Sequence, residues 1–94
     1  MKRKKNTDGL LVHINPDALV ANGFEEAYLG FVRRASRPTV ACYDYVTCVE
    51  ILMRDEGYNK KQAVMFMEDF MLQYTEGGDN SPAFAFWKDE YDED

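Results

Sequence analysis

The stretch from Asn59 to Glu76, NKKQAVMFMEDFMLQYTE, constrains this chain most, because it reads as a long helix with almost no polar side. Asn59 is an N-cap, its side-chain oxygen accepting an otherwise orphaned N–H of the first turn. Gln62, three places on, supplies the returning half of a capping box. Gly77-Gly78 stops the helix, since glycine adopts the left-handed C′ conformation without a Cβ clash. Between these ends Ala63, Phe66, Met67, Phe70, Met71 and Tyr74 recur at the i, i+3, i+4 spacing of a core-facing stripe. At roughly 100° per residue, Met65 and Leu72 point nearly opposite Met67 and Tyr74, and only Glu68, Asp69 and Gln73 interrupt the apolar run between Gln62 and Thr75. A helix apolar almost all round is covered on more than one side. Either it is sandwiched between a small sheet and another helix, or Met65 and Leu72 form a dimer or partner surface. Methionine suits the second role because its flexible, polarisable thioether adapts to varied surfaces.

A chain of 94 residues accommodates one domain around that helix. Apolar residues at 46% are enough for a packed core and argue against general disorder. The formal net charge of −6 is unevenly placed, with a basic Lys2-Arg3-Lys4-Lys5 start and an acidic Asp89-Glu90, Asp92-Glu93-Asp94 finish. The expected organisation is a basic tail over 1–9, a single domain over 10–88 and an acidic tail over 89–94. Four basic residues on an otherwise acidic chain do not argue nucleic-acid binding. Cys42 and Cys48 are too few for a disulfide framework, and both are expected reduced and buried, which fits a cytosolic compartment. No signal-peptide core follows the basic start, because Asn6 to Gly9 interrupts it. No run approaches the length of a membrane span, so a soluble chain with no membrane partner is expected.

Taken in order, Leu10 to Ile14 reads as a short strand ended by Asn15-Pro16, with Asn15 capping a single turn that Asn22-Gly23 breaks. Phe24 to Ala35 reads as a helix, its stripe being Phe24, Ala27, Tyr28, Phe31, Val32 and Ala35. Glu25-Glu26 at its start and Arg33-Arg34 at its end match the helix dipole. Gly30 inside it implies a close backbone approach. Thr39 to Tyr43 is a strand entered through Pro38, and Asp44 caps a helix from Tyr45 to Glu56. That helix buries Tyr45, Cys48, Val49, Leu52 and Met53, offers Glu50 and Arg54 as an i, i+4 pair, and ends at Gly57. The short link to Asn59 makes the last two helices an antiparallel hairpin. Pro82 to Trp87 alternates Phe84 and Phe86 with small residues, the period of a strand that pairs with Thr39–Tyr43. The expected fold is therefore α+β: three helices packed on a two- or three-stranded antiparallel sheet.

With these residues placed, the chain resembles a family of small uncharacterised bacteriophage proteins. The residues that carry the likeness are Gly23-Phe24-Glu25-Glu26-Ala27, Leu29-Gly30, Arg33-Arg34, Pro38, Ala41, Tyr43-Asp44, Cys48 to Met53, Gly57, Ala63 and Pro82-Ala83-Phe84. Between Met65 and Gly78 this chain departs from the pattern and is richer in methionine. The resemblance implies a viral origin and the cytoplasm of an infected bacterial host, and it implies no chemistry.

Converging polar groups for catalysis are scarce. His13 is the single histidine and reads as structural. A nucleophile pair of His13 with Cys42 or Cys48 has no supporting motif, and the same three residues make a poor zinc site. The terminal carboxylates lack a calcium-loop pattern. Gly77-Gly78 follows a helix instead of opening one, so it is no phosphate cradle. Asp44 is better read as a cap than as an acid. No enzyme, cofactor or metal is expected. The leading expectation is a non-enzymatic module that binds a host or phage protein, or itself as a homodimer, through Met65, Leu72, Phe66, Glu68 and Asp69. The other readings are an acidic nucleic-acid mimic with an anti-restriction role, and a minor virion or assembly component.

Overall fold

A computed structural model of the chain describes residues 9–73 and 78–86. The basic start, the acidic end, Tyr74, Gly77 and Trp87 lie outside the described residues. Among the described residues, three helices and three strands make up an α+β fold: α1 (Gly9–Ile14), β1 (Tyr28–Arg34), β2 (Arg37–Asp44), α2 (Tyr45–Glu56), α3 (Lys60–Gln73) and β3 (Ala83–Ala85), with a 3-10 turn at Glu25–Ala27. The sheet has the order β1-β2-β3.

β2 is the middle strand, and Thr39 through Asp44 are all buried. Burial on both faces replaces the alternation expected of a half-solvated strand. Tyr43 is its anchor, 1% exposed. It stands opposite Tyr28 of β1 and Phe84 of β3. Its ring meets Tyr28 edge-on at 5.4 Å and stacks on Phe84 at 5.7 Å. Its hydroxyl oxygen accepts the backbone N–H of Ala21 at 2.9 Å, which ties the N-terminal segment to the sheet. Asn15 adds a second tie, donating from Nδ2 to Thr39 O at 2.8 Å and to Asn80 Oδ1 at 2.9 Å.

Two elements depart from the sequence expectation. Leu10–Ile14 lies in a helical turn instead of a strand, burying only Leu11. Five apolar residues are too few for periodicity to separate strand from helix. Asn15 still supports the next turn, its Oδ1 accepting Asp17 N–H. The second departure is larger: Phe24–Ala35 is not a helix. Its first part is the 3-10 turn, and its remainder is β1, joined to β2 through Ala35-Ser36. The residues Tyr28, Phe31 and Val32 suit a strand, and antiparallel pairing with β2 satisfies their backbone. Gly30 sits at a register shift with φ +142°, where a Cβ would meet nothing within 4 Å. Glycine is there for its backbone angle, not for the close approach inferred from a helix.

The helix pair follows expectation more closely. Asp44 Oδ2 accepts Thr47 N–H at 3.1 Å and also the Thr47 hydroxyl, capping α2. Gly57 ends α2 at φ 74°. Asn59 and Gln62 exchange reciprocal bonds of 2.8 and 2.9 Å, the complete capping box that opens α3. α2 buries Tyr45, Cys48, Val49, Ile51 and Leu52, whereas Met53, expected inside, is 37% exposed. Ile51 is buried instead, in one cluster with Phe24 and Ala27. The Glu50–Arg54 pair is replaced by Arg54 bridging Glu26 at 2.8 Å and Asp55 at 2.7 Å.

β3 pairs with β2 as expected, but parallel and not antiparallel. The reason lies where the chain re-enters. Asp79 meets Arg37 at 2.5 Å, and its carbonyl accepts Arg34 Nη2 at 2.7 Å, while Asn80 O accepts Leu19 N–H at 3.0 Å. These contacts hold residues 78–80 beside the start of β2, so the following strand must run in the same direction as β2.

Two substitutions test this description. Tyr43→Phe should destabilise the fold by about 1–3 kcal/mol, because it strands the buried Ala21 N–H; the denaturant midpoint falls while the m-value holds. Gly30→Ala should cost about 1–3 kcal/mol through backbone strain alone, read the same way.

Candidate functional site

α3 divides cleanly by face. Ala63 and Met67 are fully buried, with Val64, Phe70 and Met71 partly buried beside them. On the opposite side Met65 is 59% and Leu72 64% exposed. These are the two residues singled out as facing away from the core, and the fold leaves both uncovered. The rest of α3 packs on α2, and Phe70 reaches Phe24 and Phe84 of β3.

The other candidates spread around this face. Asp69 is exposed beside Met65, one turn further along the same side of the helix. Glu68 leans aside, and its Oε2 accepts the Tyr45 hydroxyl at 3.1 Å. Tyr45 is itself stacked on Phe86 at 4.3 Å. Phe66, assigned to the core stripe, is 38% exposed because it lies at the stripe's edge. It stacks on Phe70 at 5.9 Å and meets Tyr58 at 6.0 Å. The face therefore combines two exposed apolar side chains, an aromatic edge and flanking carboxylates.

A cavity of about 270 Å³ opens on the far side of Phe66, between the Asn22-Gly23 turn, α2 and α3. Phe24, Ile51, Leu52 and Phe70 line it, and Asp55 and Glu56 stand among its walls. The sequence reading missed this site. One signal was available: two consecutive acids closing α2, at the helix end where negative charge is unfavourable.

The remaining chemistry-bearing groups do not converge. His13 is exposed on α1. Among the described residues no group of three or more histidine, cysteine or acidic side chains is placed to hold a metal ion. No helix of the described residues is long and apolar enough to cross a membrane. Both cysteines are free and buried. Burial first, and then the charge of Asp44, pushes the Cys48 thiol up to about 12 and raises Cys42 in the same direction. Both are therefore thiols, not nucleophilic thiolates, at neutral pH.

The chain matches no family model, and no curated protein and no solved structure is significantly similar to it.

The cysteine environment makes a pH prediction. A thiol whose folded pKa is raised favours the fold while it is protonated, so its contribution is complete below its ordinary value near 9 and is lost as pH rises towards about 12. Unfolding midpoints of the wild type should fall across that window, and Cys48→Ala should flatten the fall. At pH 8 a thiol reagent should react slowly with native protein and rapidly with both cysteines after denaturation.

Proposed function

We propose that this chain is a non-enzymatic protein-binding module, made by a phage and directed at a host protein, with α3 presenting the contact face. One observation supports the reading above others: Met65 and Leu72 remain 59% and 64% exposed on a helix whose other face is buried. An exposed methionine and leucine in register on a 14-residue helix suit helix-face recognition, in which apolar anchors provide contact area and a charged rim provides selectivity. In this reading α2 backs α3 and leaves that face exposed. The phage setting and the host cytoplasm rest on the resemblance to small phage proteins. A second copy of the chain would use the same face, producing an isologous dimer.

The test is substitution on that face. Met65→Glu and Leu72→Glu lie on exposed positions, where stability changes stay within about 0.5 kcal/mol. Each should abolish capture of the host protein that the wild type retains, with the unfolding midpoint unmoved. If the wild type is a dimer, each should instead lower its mass in solution to that of the monomer. Unaltered capture and unaltered mass in both variants would remove α3 as the contact face.

A further inference from the structure

We propose that the cavity between the Asn22-Gly23 turn, α2 and α3 is an anchor pocket for an arginine side chain of the protein partner. This rests on the binding-module reading and names the chemistry that its partner should carry. The volume of about 270 Å³ lies just under the roughly 300 Å³ at which small-molecule sites begin, so the pocket suits one long side chain better than a cofactor.

Its walls match an arginine along its length. Ile51, Leu52 and Phe70 offer an apolar lining for the three methylenes of the stem. Phe66 and Phe70 stack at 5.9 Å with their rings only 21° apart, and Phe66 is 38% exposed, so a ring remains accessible to a planar cation. A guanidinium stacks on aromatic faces more readily than an ammonium, which favours arginine over lysine.

The charge points the same way. Asp55 and Glu56 close α2, where the free carbonyls already make the helix end negative. Asp55 is satisfied by Arg54, whose guanidinium also reaches Glu26. That hydrogen bond, followed by the positive charge itself, holds the Asp55 carboxyl below its ordinary range. Glu56 has no ion-pair partner among the described residues. Asp55 and Glu56 are the charged residues among the pocket's lining, so its rim is negative. A neutral apolar side chain would fill the floor but offer Glu56 no partner; an acidic one would be repelled.

The experiment titrates N-acetyl-arginine amide into isotopically labelled full-length protein and follows the backbone amides of Gly23, Leu52 and Phe66. N-acetyl-citrulline amide, equal in shape but uncharged, is the comparison. The arginine probe should give saturable shifts at those residues, with binding weakened roughly fivefold in Glu56→Gln and unchanged in Glu50→Gln. Glu56→Gln removes a charge from an unfavourable helix end, so its unfolding midpoint should stay level or rise, which excludes misfolding as the cause. Absent saturation, equal binding of citrulline, or equal binding by Glu56→Gln would each overturn the proposal. The outcome is separable from that of the module reading. A protein indifferent to the arginine probe that loses its partner in Leu72→Glu keeps the binding face and loses this pocket.

Discussion

Tyr43 joins three parts of the chain, the two strands beside it and the segment before β1. Its ring is packed between residues from both neighbouring strands, and its hydroxyl accepts a backbone N–H from the segment before β1. An aromatic residue with a polar tip serves here as a phenylalanine would not. The body supplies apolar contact, and the oxygen satisfies a donor that would otherwise be buried unpaired. Asp44, the next residue, turns the strand directly into α2 by capping it. The sheet centre and the start of the helix pair are thus set by two adjacent side chains.

That arrangement decides what α3 can do. α2 lies against the sheet side of the fold through its buried row, and α3 packs mainly on α2. A three-stranded sheet with a three-residue edge strand is too small to cover both faces of a second helix. The outer side of α3 is left to solvent for geometric reasons, and the residues found there are apolar instead of charged. Methionine and leucine there, in place of lysine or glutamate, are a local departure from ordinary surface composition, and the proposed contact face starts from it. The two acids ending α2 are another.

The helix pair was legible in the sequence because its signals are short-range. Asp44, Gly57, Asn59 and Gln62 each act within four residues, and all four do in the fold what their chemistry implies. The exposed pair on α3 was legible for the same reason, since helical geometry alone sets Met65 and Leu72 opposite Met67. β1 was not legible. Phe24, Ala27, Tyr28 and Phe31 satisfy a helical period, and what overrides it is pairing with β2, an interaction with residues that local pattern does not contain. The direction of β3 was hidden likewise, because it depends on Arg34, Arg37 and Asn15 seizing residues 79 and 80. The cavity beside Phe66 draws on three separated segments and leaves no contiguous trace.

The parallel pairing of β3 has a consequence for how the molecule comes into being. A hairpin such as β1–β2 can form as soon as both strands exist. β3 must wait for the whole of the intervening helix pair before it can find its place. Phe84, which completes the packing around Tyr43, therefore arrives only after α2 and α3, and until then the side of β2 it occupies is an open strand edge. A chain that lacks Ala83–Ala85 leaves that edge of β2 without its backbone partners and offers it to a strand of another molecule.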